Sequence, residues 1–231
     1  MNDGPMKPWI QQWRDWSKNY RARGKYTPVG VAFHWIMAGV VVFQLLSGWW
    51  MQRYLVGADK LDAYALHSEI GLTLLVMGAL RLLWRLIVPG PINDADKPGW
   101  PTKVAHATHF IFYALFAVLP ISGWMMWSAI QPARDLHLAG LIPVPAMPFY
   151  DLSPEMQFRI LDLAGDLHVA AAILLAVLIP LHAFAALKHH FLDRDDVLEG
   201  MLPEVPDTHW HPGGPNYSRP DAPSPSRSDP G

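Results

Sequence analysis

Two histidines, His168 and His182, stand inside a long apolar run between Asp166 and His190. The chemistry open to neutral imidazoles in such a setting is metal ligation, because ionisable groups placed in hydrocarbon are costly and usually functional. They are fourteen residues apart, nearly four helical turns, or roughly 21 Å of rise. At about 100° per residue they return to almost the same face. One helix would then offer an imidazole near each face of a membrane, as the shared wall of two haem centres stacked across it. The chain has eleven histidines and no cysteine. That excludes disulfides, iron–sulfur clusters and thioether-linked haem, so any haem must be held non-covalently.

The elements that must position these residues are membrane helices. The chain has 231 residues, of which 51% are hydrophobic and 16% charged, against about 25% charged in a soluble domain. Four segments predict spans: Pro28 to Met51, Tyr64 to Val88, Thr102 to Ser128 and Leu163 to Leu187. Each exceeds the ~20 apolar residues that cross a ~30 Å hydrocarbon core. The expected fold is all-α and integral to the membrane, a four-transmembrane-helix bundle enclosing two b haems. The net charge of −2 suggests no nucleic-acid partner. Residues 1–27 form a basic N-terminal arm without the short apolar core of a signal peptide. Its stripe Trp9, Ile10, Trp13 and Trp16 fits a helix on the membrane surface, and a loosely ordered arm fits equally. Residues 28–202 make the membrane domain. Residues 203–231 are a Pro/Gly/Ser-rich tail, too poor in apolar residues to order itself, and His209 and His211 are read as its solvated histidines. Ser153-Pro154-Glu155 predicts a helix start. No internal repeat is evident.

Basic residues orient the bundle. Arg14, Lys18, Arg21, Arg23 and Lys25 precede span one; Arg81, Arg85, Lys97 and Lys103 flank the second connection; Lys188 and Arg194 follow span four. The opposite side has Arg53, Lys60, Arg134 and Arg159. Both termini are therefore expected in the cytoplasm of a bacterial inner membrane, with Trp clusters at the span ends as interfacial belts. The histidines then sort by depth: His34 with His182 on the cytoplasmic side, His67 with His168 on the periplasmic side. Each pair could provide both axial ligands of one haem. Fourteen residues beyond His34 is Gly48, and fourteen beyond His67 is Arg81. Gly48 and Gly71 would let a porphyrin approach the backbone or serve helix packing. Arg81 would meet haem propionates, or snorkel to the interface. His106 and His109 lie at the level of His34 and compete with it as ligand, propionate contact or quinone-pocket residue. His137 is expected on the surface, and His189 and His190 at the cytoplasmic interface, favoured there by a helix C-terminus.

Several motifs carry a resemblance. They are Lys25-Tyr-Thr-Pro28 and Phe33-His-Trp35, Leu66-His67 with Arg81-Leu-Leu-Trp-Arg85, His106-Ala-Thr-His109 with Leu119-Pro-Ile-Ser-Gly123, and Leu181-His182 through His190. Over about Lys25 to Pro203 the chain resembles the bacterial di-haem cytochrome b561 family, related to the cytochrome b subunits of nickel–iron hydrogenases and formate dehydrogenases. The resemblance implies four helices, two b haems with bis-histidine ligation by His34, His67, His168 and His182, and electron exchange with ubiquinone. It favours these four over His106 and His109. Some stand-alone members resemble superoxide:ubiquinone oxidoreductases, an activity that a positive funnel would serve. The outer connections here instead carry Asp59, Asp62, Asp135, Asp151, Glu155 and Asp162. They suit a basic periplasmic partner, such as a soluble c-type cytochrome or a dehydrogenase. A haem-free four-helix transporter of metal or protons is the alternative from another class.

Overall fold

A computed structural model describes residues 9–91, 99–130 and 135–203. Lys97, Arg134, His209 and His211, named above, lie outside the described residues. The element order is α1 (Trp9–Arg21), α2 (Pro28–Tyr54), α3 (Gly57–Ile87), α4 (Trp100–Ala129), β1 (Leu136–Leu138), β2 (Ile142–Val144) and α5 (Pro154–Lys188). A π-helical turn, His189–Asp193, and a 3-10 turn, Glu199–Met201, close the described chain. Helices α2 to α5 are each long and apolar enough to cross a membrane.

Local signals set the helix starts. Thr27 caps α2, its Oγ1 accepting from the Gly30 amide at 3.4 Å, with Pro28 in the first turn. Ser153 caps α5, accepting from the Met156 amide at 3.3 Å, with Pro154 behind it. A proline costs nothing at a first helical position, whose amide has no intrahelical partner. Pro120 and Pro180 interrupt α4 and α5 internally, as prolines do in membrane helices whose neighbours satisfy the freed carbonyls.

The four long helices run up and down, α2 packing on α3, α3 on α4 and α4 on α5, while α2 and α5 show no comparable backbone approach. Between the two levels of histidines lies one apolar cluster: Met37, Val41, Leu74, Leu115, Ala171 and Leu175. The outward surface is apolar too, with Phe43, Leu46, Leu83, Phe110, Ile173, Val177 and Phe184 exposed. Water would not tolerate so continuous an apolar belt, and lipid requires it. At 35 residues, α5 is about 52 Å long. At the His67 end its first turns and those of α3 are polar, carrying Asp59, Asp62, Glu155 and Asp162.

The His34 end is closed by the chain's outer segments. The N-terminal arm forms the helix α1, which docks on α3. The Trp13 ring meets Trp84 edge-on at 5.6 Å, and Arg14 Nε donates to the Ile87 carbonyl at 3.1 Å. That bond satisfies a carbonyl the end of α3 leaves without an amide. The turn after α5 lies on the entry to α2: the Tyr26 amide donates to Gly200 O at 3.1 Å and Trp35 Nε1 to Met201 O at 2.7 Å.

Met37 is 1% exposed at the centre of the bundle. Truncating it as Met37→Ala should cost about 2–4 kcal/mol through the cavity left behind, lowering the thermal midpoint of the purified protein. Val42→Ala, at a lipid-facing position, should leave that midpoint nearly unchanged.

Candidate haem site

The four helices bring the histidines together at two levels. At one end the His67 ring on α3 and the His168 ring on α5 have centroids 6.2 Å apart, their planes at 65°. At the other, His34 on α2 and His182 on α5 are 6.3 Å apart at 57°. An iron-bound imidazole places its nitrogen about 2 Å from the metal, with the ring centre roughly 1 Å further, so two imidazoles on opposite sides of one iron have centroids about 6 Å apart. Both pairs stand at that separation. His109 on α4 also lies 6.1 Å from His182, at 70°, so this second level, called the inner one below, holds two imidazoles around a third. His106 is exposed. His137 is half-exposed and bonded to Glu69, and His189 engages Asp195 at 2.6 Å. Neither ring is paired with the histidines of these two levels.

In the pair of His67 and His168, called the outer pair below, the surroundings of His168 fix which ring nitrogen is free. His168 Nδ1 lies 3.0 Å from Leu119 O and 3.0 Å from Ser122 Oγ. A carbonyl can only accept, so Nδ1 carries the proton and the Nε2 lone pair is available to a metal. Ser122 fits that arrangement, since its own proton goes to Val118 O at 2.7 Å. His67 Nδ1 lies 3.1 Å from Ser47 Oγ, a hydroxyl that can accept from it while giving its own proton to Gln44 O at 3.1 Å. Gln44 Nε2 in turn donates to the His67 carbonyl at 2.7 Å and ties α2 to α3 at this level.

Two glycines make room for the rings. A Cβ on Gly48 would lie 3.4 Å from His67 Cε1, and one on Gly123 3.4 Å from His168 Cε1. Gly48 thus faces an imidazole directly. Gly71 faces Gln44 Nε2, at 3.6 Å from a Cβ placed there, and belongs to the α2–α3 contact. Sequence reasoning missed Ser47, Ser122, Gln44 and the role of Gly123. The signal was a short repeat: Ser47-Gly48-Trp49 on α2 and Ser122-Gly123-Trp124 on α4 present the same hydroxyl and the same missing side chain to the two outer histidines.

The inner level differs. Arg81 Nη2 lies 3.1 Å from His34 Nδ1. A guanidinium only donates, so His34 accepts through the nitrogen that His168 uses as donor. Among the described residues no carboxylate is paired with Arg81, which leaves a cation facing this site. The Phe112 ring stands edge-on to His182 at 5.4 Å.

The family described as prokaryotic cytochrome b561 matches residues 25–204. This chain belongs to that family. The cytochrome b561 homolog 2 of Escherichia coli is 33% identical over 183 residues, covering 77% of this chain and 91% of that protein. A probable superoxide oxidase, CybB, of Yersinia pestis is 24% identical over 190 residues, covering 78% and 97%. A cytochrome b562 of Cereibacter sphaeroides is 25% identical over 182 residues, covering 77% and 94%. The cytochrome b561 is thus a multi-pass bacterial membrane protein with four long apolar helices, binding haem b and transferring electrons. That sets aside the haem-free transporter. The residues present fit the group: paired imidazoles at the right separation, with acceptors behind the outer pair and glycine beside each of its rings.

The space at Gly123 is tight enough to test. Gly123→Ala should be tolerated, since its Cβ would make an ordinary contact, whereas Gly123→Val should push the His168 ring aside. Haem bound per polypeptide, measured as the pyridine haemochrome, should fall for the valine variant and hold for the alanine one.

Proposed function

We propose that this cytochrome holds two b haems, one between His67 and His168 and one between His34 and His182. It would pass single electrons between a redox partner at the His67 end and the ubiquinone pool. The observation that carries this is the recurrence, at two levels about 21 Å apart along α5, of an imidazole pair with centroids 6.2 and 6.3 Å apart. Bound haem b supplies one-electron redox chemistry. The chain's own residues set its ligation, its burial and its electrostatic surroundings, which are the protein's means of tuning a potential.

Arg81 is the residue we assign to the propionates of the inner haem. When iron takes His34 Nε2, Nδ1 holds the proton and can no longer accept from Arg81, and a carboxylate is then the natural partner for a cation at this depth. His109 beside His182, with His106 nearer the surface, is the candidate quinone environment. The basic residues before α2 and after α5 support a cytoplasmic side for both termini, in which case the His67 end faces the periplasm of a bacterial inner membrane. There the acidic first turns of α3 and α5 favour a basic partner, a c-type cytochrome or a dehydrogenase. Direct oxidation of superoxide is the second reading, suggested by the name of the Yersinia relative.

Haem counting on the purified full chain tests the pairing. The wild type should carry two haems. His67→Ala and His168→Ala should each lose the same one, seen as the same surviving potential in a redox titration, and His34→Ala and His182→Ala the other. If His109→Ala removes a haem while His34→Ala keeps both, the inner pairing is wrong. Reduction of a soluble ubiquinone by superoxide, with no partner added, would favour the second reading over the partner-fed one.

A further inference from the structure

The segment between α4 and α5 carries a feature that electron transfer does not use. Strands β1 and β2 pair antiparallel, Leu136 with Val144, His137 with Pro143 and Leu138 with Ile142. The loop between them bends through Ala139 and Gly140, both in the left-handed region at φ 51° and 69°. This hairpin does not project from the end of the bundle. Its first strand lies along α3, with Leu136 buried against Leu72 and Trp127.

Two bonds give its depth. The His137 amide donates to Glu69 Oε1 at 2.9 Å, and the Ala139 amide donates to Thr73 Oγ1 at 3.0 Å. Thr73 is six residues beyond His67 toward the other end of α3, about 9 Å deeper by helix rise. It falls inside the apolar half of the helix, Ile70 to Ile87, where Arg81 and Arg85 are the charged residues. Gly48 faces His67, so the neighbouring Trp49 and Trp50 mark the rim of the membrane near that level. The hairpin tip therefore sits well below the rim.

Non-helical backbone at such depth needs its polar groups satisfied by protein, and an unpaired amide is the costliest of them to leave. Here the amides of the inner edge and the loop are satisfied. Glu69 and Thr73 on α3 take the amides of His137 and Ala139, which point away from β2. Within the loop, Gly140 N donates to His137 O at 3.2 Å and Leu141 N to Leu138 O at 3.0 Å. On the far edge, alternation along an antiparallel pair makes position 143 the one whose groups face outward, because its partner His137 turns its own amide away. Position 145 follows two residues later on the same side. Both are proline, which has no amide to leave unpaired, and the Pro145 carbonyl accepts from Trp124 Nε1 at 3.2 Å. The side chains then match the solvent: Leu141 is 81% exposed and Ile142 60%.

We propose that this hairpin is re-entrant, a lipid-inserted wedge whose tip, Leu141 and Ile142, lies among the acyl chains of the leaflet on the His67 side. Its exposed apolar face continues the lipid-facing belt of the four helices. The two prolines strip its outer edge of donors, and Glu69 and Thr73 satisfy its inner edge.

The chain contains no cysteine, so one introduced residue can carry a nitroxide label uniquely. Leu141→Cys and, separately, Ile142→Cys would be labelled in the full-length protein reconstituted into phosphatidylcholine–phosphatidylglycerol vesicles. Collisions with dissolved oxygen, which partitions into hydrocarbon, and with a water-soluble nickel chelate are then read from the saturation of the spectrum. Val42→Cys supplies the lipid reference and Asp151→Cys the water reference. Both hairpin labels should match Val42→Cys, open to oxygen and shielded from nickel. A label at either position that relaxes with nickel as Asp151→Cys does overturns the proposal. So does one shielded from both probes, which would mean that protein, another copy or a partner, covers the tip.

Discussion

An imidazole must give up one ring nitrogen to hold a metal with the other, and the first nitrogen needs an acceptor that will not let the ring turn. Much of the packing at the His67 end follows from that need. The Leu119 carbonyl is one such acceptor, reached because Gly123 leaves the face of α4 open; Pro120, between them, sits where a helix bends most readily. Ser122 and Ser47 are the others, each spending its proton on its own helix so that its oxygen faces a histidine. Gln44 then locks α2 to α3 at the His67 carbonyl. These bonds also give α2, α3, α4 and α5 a common register. Helices in lipid lack the hydrophobic drive that would otherwise set it.

The inner level obeys a different constraint. Arg81 brings a full charge to the depth of His34, and a cation there is costly without a partner. The bond to His34 is a neutral partner for it. A haem carries carboxylates, and in the proposed arrangement Arg81 would hold them and His34 would be free to serve as a ligand. The two sites would then differ in the charge around them, which is a lever on their potentials. The apolar cluster around Met37, Val41, Leu74 and Leu175 fills the interior between the two levels.

The helices were legible because lipid imposes a long, unmixed apolar run on each, and because Thr27-Pro28 and Ser153-Pro154 mark two of the starts. The relative depth of each histidine was legible from the alternating direction of the spans and helix rise. Ring neighbours were not. Whether Gly48 faces an imidazole or open space depends on the rotation of α2 against α3, which hydropathy does not encode when every face is apolar. The same ambiguity leaves His109 and His34 both within reach of His182. The hairpin was hidden for another reason. Its β character rests on three residues a strand, and what holds it, Glu69 and Thr73, is some seventy residues away in sequence.

The account turns on α5 serving both metal centres, so the direct test removes both of its imidazoles. The double variant His168→Ala/His182→Ala, purified from membranes with its helix content intact by circular dichroism, should bind no low-spin haem. Its reduced-minus-oxidised spectrum should lack a b-type α band. A surviving band of either centre would show that α2, α3 and α4 hold iron without α5, and would contradict the account.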